Sequence, residues 1–293
     1  MSDGKITSRV PMEQYQAMPG IGITRLKELK RSGLHYQYRL ENPKLTQPLT
    51  LGHAAHCATL EPERFSRQFA IWRRRSENTG NLCPRNGQHW EAFKGNVAPG
   101  VEIITEDDEL AALAISKAVR ADPCAIRYLT AGDPEVTMQW ETSIESMLGA
   151  PSLFSCKGRI DWLTHLEGMP YLVGLKSARD ARPLIFGTAA ARLSYHLQWA
   201  YYLDGYEAIT GKRPRMKEIV VESEAPHDVV VFDIPEDVVY QGRDEYQALL
   251  RHLRQCEERS EWLGCGNGTE QVLTLPTWAY PNHGDDLTDL GLE

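Results

Sequence analysis

Two stretches decide how this chain reads: Cys156-Lys157-Gly158-Arg159-Ile160-Asp161-Trp162-Leu163 and, shortly after, Tyr171-Leu172-Val173-Gly174-Leu175-Lys176-Ser177. Both have the look of strands, and Glu167-Gly168 between them is a turn signal, so together they predict an antiparallel hairpin. Side chains alternate faces along a strand, which sends Lys157, Arg159 and Asp161 one way and Ile160 and Trp162 the other. A turn centred on Glu167-Gly168 places Asp161 opposite Gly174 and Arg159 opposite Lys176, so that Asp161, Arg159 and Lys176 share one face. A carboxylate on one strand with a lysine on the next is what metal-dependent phosphodiester hydrolysis uses. The carboxylate holds Mg²⁺ or Mn²⁺, the metal activates water, and the lysine orients the nucleophile or stabilises the charge developing on phosphate. A solvated sheet face with a surface ion pair is the plainer account of the same residues.

Outward from the hairpin, short alternating runs begin near Val136 and resume at Ile219 to Val221 and Val229 to Phe232, while helical spacing dominates before residue 130. Helices are expected from Ile23 to Arg31, from about Leu51, after Thr105 with an acidic capping box, and from Glu236 to Trp262. Another is expected from Ala189 to Ala208, ended by Gly211. It places Tyr195, Gln198 and Tyr202 along one side, an amide flanked by two phenols. His53 and His56 are one turn apart, and His56 is a candidate metal ligand, although a lone histidine is more often a satisfied structural residue. Strands alternating with long helices make the fold α/β.

Composition narrows the class. The chain has 293 residues, 42% hydrophobic and 25% charged, with a mean hydropathy of -0.43, within the range of folded globular proteins. No run reaches the roughly 18 apolar residues of a membrane helix, and Met1-Ser2-Asp3-Gly4-Lys5 does not begin a secretion signal, so an intracellular, cytoplasmic protein without membrane contact is expected. Six cysteines without a CxxC pair argue against a zinc or iron–sulfur site. A net charge of -8 argues against a histone-like binder, yet leaves room for a local basic groove. The densest basic region contains Arg64, Arg67, Arg73, Arg74 and Arg75, beside Trp72, and arginines suit sequence-independent phosphate contact. A solvated basic loop is the competing reading.

These residues, taken in order, resemble the RecE-type exonucleases, also called exonuclease VIII, and their phage relatives in the PD-(D/E)XK nuclease superfamily. Leu51-Gly52-His53-Ala54-Ala55-His56 with Leu60-Glu61-Pro62 is similar to that family's GTxxH motif and LEP extension. Lys157-Gly158-Arg159-Ile160-Asp161 resembles the strand carrying its first metal-binding aspartate, and Gly174-Leu175-Lys176-Ser177 stands in the place of its DxKT-type signature. Gln198-Trp199-Ala200-Tyr201-Tyr202 matches the QxxxY motif of related nucleases, and Leu275-Pro276-Thr277-Trp278-Ala279 resembles the C-terminal ending. The resemblance implies a mixed central sheet flanked by helices, with an α-rich N-terminal segment. Residues 1–280 would form a single domain, mainly helical over 1–130 and sheet-containing over 131–280, followed by an acidic tail over 281–293.

By position, the resemblance makes His56 and Asp161 metal ligands, lends the backbone carbonyl of Leu175, and makes Lys176 the catalytic lysine. Gln198 and Tyr202 would contact DNA or brace the site, and Arg73, Arg74, Arg75, Arg159 and Tyr195 are the DNA-binding candidates. It further implies 5′-to-3′ digestion of linear double-stranded DNA from its ends, with Mg²⁺ or Mn²⁺, by a homo-oligomeric ring that works with a single-strand-annealing protein in recombination. One position departs: the family's acidic ligand is replaced here by Gly174. The expected result is a nuclease weakened or silenced for want of that charge. Two alternatives stand beside it: Glu135, Glu141 or Asp180 reaches the vacancy, or the protein is a catalytically silent binder of DNA ends.

Overall fold

The computed structural model describes residues 4–42, 50–145 and 151–276. In chain order the elements are β1 (Lys5–Thr7), α1 (Met12–Ala17), β2 (Ile21–Gly22), α2 (Ile23–Leu26) running into a 3₁₀ turn (Lys27–Lys30), α3 (Gly33–Glu41), α4 (Thr50–Leu60) and α5 (Pro62–Gln68). Then come β3 (Phe69–Trp72), α6 (Gly87–Gly95), β4 (Glu102–Thr105), α7 (Glu106–Ala121) and α8 (Pro123–Leu129). The sheet region follows with β5 (Asp133–Ile144), β6 (Ser152–Leu166), β7 (Met169–Ala178), α9 (Pro183–Arg192), α10 (Tyr195–Thr210), β8 (Arg215–Glu222), β9 (Val229–Asp233) and α11 (Glu236–Arg259).

The central sheet runs β1-β5-β6-β7-β8-β9 and is mixed: β7 and β8 are parallel across the α9–α10 crossover, and the other neighbours along that path are antiparallel. One face packs against α2, α3, α9, α10 and α11 through residues such as Leu26, Tyr36, Leu172, Leu197, Val220 and Leu250. The other packs against α4, α5, α7 and α8 through Ala54, Phe65, Ile115, Leu129, Val173, Leu175 and Ile219. The α/β expectation holds, and β3 and β4 add a small parallel sheet inside the α-rich first part. All six cysteines are free thiols. Among the described residues no helix is long and apolar enough to cross a membrane.

Local chemistry explains several boundaries. Thr105 accepts the Asp108 N–H at 3.0 Å while the Asp108 carboxylate accepts the Thr105 N–H at 3.0 Å, the capping box expected at the start of α7. Glu167 and Gly168 adopt positive φ, as a tight hairpin turn demands, and Leu163↔Leu172 and Trp162↔Val173 pair in the expected register.

Other expectations are corrected. The helix foreseen from Ala189 to Ala208 is two helices, parted at Leu193 and Ser194, where Ser194 is left-handed. Lys27 and Lys30 clasp that break, donating to the Leu193 carbonyl at 3.2 Å and the Ser194 hydroxyl at 2.9 Å. The helix foreseen from Ile23 to Arg31 tightens into the 3₁₀ turn, and Gly33, expected to follow its end, instead opens α3 behind a Ser32 cap. The acidic tail over 281–293 and the Thr277-Trp278-Ala279 ending lie outside the described residues.

Helices α10 and α11 touch backbone to backbone at Gly242, where an added Cβ would come within 2.6 Å of the His196 carbonyl carbon. Backbone cannot retreat as a flexible side chain can, so Gly242→Ala should lower stability by about 1–3 kcal/mol in urea unfolding.

Candidate functional site

The site lies where β6 is left unpaired along part of one edge. On that edge β7 pairs with Trp162 to Leu166, and β2 pairs with Cys156 and Lys157. Neither ladder includes Asp161. Beyond Val173, β7 leaves β6 and follows β8 alone, from Gly174↔Glu218 to Ala178↔Glu222. The fork is held by one bond: the Leu175 N–H donates to Asp161 Oδ2 at 2.8 Å. On the other side of β6, the β5 ladder skips Glu135 and Asp161, and Glu135 has a φ of 53°. These irregularities break the simple alternation, so Ile160 and Trp162 enter opposite core layers.

Groups from both layers therefore meet at Asp161. From α4, His56 presents Nε2 to Asp161 Oδ2 at 3.4 Å and Nδ1 to Glu135 Oε1 at 3.2 Å. Glu135 in turn ion-pairs with Arg159. From β7, Lys176 places Nζ 3.5 Å from Glu218 Oε1 and 5.0 Å from the centre of the Tyr195 ring at the start of α10. Arg159, Glu135, His56, Asp161, Lys176 and Glu218 thus form a chain of alternating charge across the fork. Burial disfavours the His56 cation, but attraction and hydrogen bonding from Asp161 and then Glu135 overcome this and raise it to about 10. Burial would also raise the Asp161 carboxyl, yet His56, Lys176 and the Leu175 N–H pull it well below its ordinary range. Burial would discharge Lys176, whereas Glu218 and Asp161 hold it firmly protonated.

The expected residues are partly assembled here. His56, Asp161, Leu175, Lys176 and Tyr195 come together. Gln198 Nε2 reaches the Tyr202 hydroxyl at 3.4 Å, and buried Tyr202 also receives a backbone bond from Arg159, so this pair braces β6 from α10. Arg159 does not face Lys176. It pairs with Thr137 on β5 and is taken up by Glu135 and the Tyr15 ring, because the β6–β7 ladder ends before reaching it. The arginine run is also largely spent. Arg73 and Arg75 pair with Glu106, Asp107 and Glu109 in the first turn of α7, leaving Arg74 exposed beside them. His53 pairs with Glu102 and lies outside the site.

Gly174 leaves no side chain where the resemblance places an acid. Glu141 is exposed and Asp180 pairs with Arg182, while Glu135 is held between His56 and Arg159, so none of the three substitutes considered stands at residue 174. A different acid does. Glu218, from the neighbouring strand, is 0% exposed, and its carboxylate lies where a residue-174 side chain would begin. Its Oε2 accepts the Trp199 indole N–H at 2.5 Å, while Oε1 is buried with no hydrogen bond. The one signal in the sequence is local: the charged pair Lys217-Glu218 stands directly before the apolar run Ile219 to Val221. Lys27 was also missed: its ammonium lies 5.7 Å from the Tyr195 ring centre, opposing Lys176, and burial together with that repulsion lowers it to about 8.

Among the described residues no three His, Cys, Asp or Glu side chains are gathered into a metal cage. The donors nevertheless suit a hard divalent cation: the Asp161 carboxylate, the unsatisfied Glu218 oxygen, the Leu175 carbonyl and the His56 imidazole once it gives up its proton.

Residues 22–270 match the family model of a PDDEXK-like domain of unknown function (DUF3799). The fold is similar to the crystal structure of a candidate exonuclease from Eubacterium rectale, with a TM-score of 0.54 at 13% identity, covering 92% of this chain and 96% of that one. Two further structures, SSO0001 (TM-score 0.26, 14% identity, 49% of this chain and 67% of that chain) and VC1899 from Vibrio cholerae (TM-score 0.20, 10% identity, 86% and 58%), are too remote to bear on the fold. No curated protein sequence matches the chain.

The alternating charges make each member costly to remove alone. Lys176→Met would strand the buried Glu218 carboxylate, and guanidinium unfolding should show a loss of about 3 kcal/mol or more.

Proposed function

Since the chain belongs to this PDDEXK-like family, we propose that it is a metal-dependent exodeoxyribonuclease acting on the ends of linear double-stranded DNA. The observation that carries this reading is the convergence of Asp161 and Lys176 at the fork, with the Leu175 backbone between them. Asp161, the Leu175 carbonyl and deprotonated His56 would hold Mg²⁺ or Mn²⁺. When bound, such an ion lowers the pKa of water and neutralises charge on the phosphate.

The chain's own groups supply the rest. Lys176 stays protonated and donates from Nζ to the attacking water or to a phosphate oxygen. The Tyr195 ring lies close to the ammoniums of both Lys176 and Lys27 and gives them an aromatic wall, and the two cations attract the DNA backbone despite the net charge of -8. Gln198 and Tyr202 keep β6 in place. Exposed Arg74 is the member of the arginine run best placed to meet phosphate, since Arg73 and Arg75 already serve α7. The motif resemblance supports 5′-to-3′ polarity, a homo-oligomeric ring, a single-strand-annealing partner in recombination and a cytoplasmic setting.

Digestion of end-labelled linear duplex in Mg²⁺ or Mn²⁺ tests the proposal. The chain should shorten linear DNA and spare closed circles, and Asp161→Asn and Lys176→Ala should each cut the rate by roughly 10²-fold or more. Duplex binding without cleavage by any of them would favour a silent DNA-end-binding protein. In a salt titration of duplex affinity, Arg74→Ala should flatten the slope, while Arg73→Ala should leave it unchanged.

A further inference from the structure

We propose that Glu218 supplies the second acidic ligand of the cation held by Asp161, reaching from β8 into the space that a side chain at residue 174 would otherwise fill. This rests on the metal-dependent nuclease reading and adds to it a residue from a strand outside the motif.

Glycine is a poor choice inside a covered strand, where it gives no side chain to pack, and it commonly marks the close approach of another group. At Gly174 that group is a carboxylate. Residues 174 and 218 are register partners in the parallel ladder, so their side chains leave the sheet on the same face. A Cβ built on Gly174 would lie 2.6 Å from Glu218 Oε2 and 2.7 Å from its Cδ, and nearer still to Oε1. The same glutamate thus supplies the three nearest atoms. Glycine here is the condition for Glu218 to extend.

The surroundings of Glu218 also point to a ligand. A fully buried carboxylate is expensive unless its lone pairs are used. Trp199 uses Oε2, but Oε1 has no hydrogen bond, and its neighbour Lys176 is 3.5 Å away, a loose ion pair. That open oxygen stands beside the lysine that flanks Asp161, and Asp161 and Glu218 sense each other's charge. Both carboxylates attract the one ammonium of Lys176, and two like charges so placed repel until a divalent cation offsets them, which accounts for keeping both. A carboxylate serving only to neutralise Lys176 would be expected to bond it closely.

The test uses the full chain and Mn²⁺ alone, followed by calorimetry, with duplex cleavage measured in parallel and circular dichroism to confirm folding. Glu218→Gln keeps the shape and the Trp199 bond while removing the charge. It should weaken Mn²⁺ binding by roughly tenfold or more, at least the loss seen when an outer-shell partner is removed. Moving the acid, with Glu218→Ala and Gly174→Asp together, should restore binding, because the three atoms nearest a residue-174 Cβ are among those removed. Gly174→Asp alone should bring no gain, since two acids would claim one space. If Glu218→Gln binds Mn²⁺ as the parent does while Asp161→Asn loses it, Glu218 is only a partner of Lys176; the proposal falls and the nuclease reading stands. If the Gln variant does not fold, the double variant decides: recovered binding supports the proposal, and a folded protein that binds no Mn²⁺ overturns it. If the parent binds no more Mn²⁺ than Asp161→Asn and cuts nothing, the nuclease reading itself is lost, and the proposal with it.

Discussion

The bond from the Leu175 N–H to the Asp161 carboxylate takes the place of a ladder where β6 and β7 part, and the arrangement around it depends on that parting. In a closed sheet, His56 on one helical layer and Lys176 facing the other would be separated by a continuous strand pair. The fork lets both approach one carboxylate, and it leaves that carboxylate partly buried while Glu218 and Tyr202 are buried more deeply. It is therefore both the entrance to the site and the reason its charges meet.

That meeting has a cost, which the alternation of sign offsets. Six ionisable groups crowded at a sheet edge would be strongly destabilising if any two neighbours matched in charge. Here Arg159, Glu135, His56, Asp161, Lys176 and Glu218 alternate in sign, through ion pairs and, between Asp161 and Lys176, through longer-range attraction. Such a chain restricts side-chain choice at every position and orients each of its four inner groups by two neighbours, a form of preorganisation that a solvated sheet face lacks. It also favours the His56 cation over the neutral ring.

The hairpin was legible because strand alternation and a turn at Glu167-Gly168 are local, and they gave the pairing of Leu163 with Leu172 correctly. Where the ladder stops is not local. It depends on β2 taking the far part of the same edge and on Glu135 turning left-handed, so Arg159 was placed opposite a lysine it never meets. The α7 capping box was visible in the residues Thr105 and Asp108 themselves, whereas the break at Ser194 carries no glycine or proline and is held by lysines far away in sequence. The arginine run showed its cations but not the acids of α7 that engage them. The place that Glu218 reaches was hidden for the same reason, since only the crossover through α9 and α10 brings that charged pair beside Gly174.

Lys157 lies on the same strand as Asp161 but has another role. Its buried ammonium donates to the carbonyls of Tyr15 at 3.0 Å, Gln16 at 3.1 Å and Met18 at 2.5 Å, gathering the end of α1. All three acceptors precede residue 22, where the family match begins. A fragment trimmed to the matched range would leave that cation buried without those acceptors, on the strand that carries Asp161. The contacts that hold β6 therefore reach past the boundary of the recognisable family, and the strand that carries Asp161 is what joins the two parts.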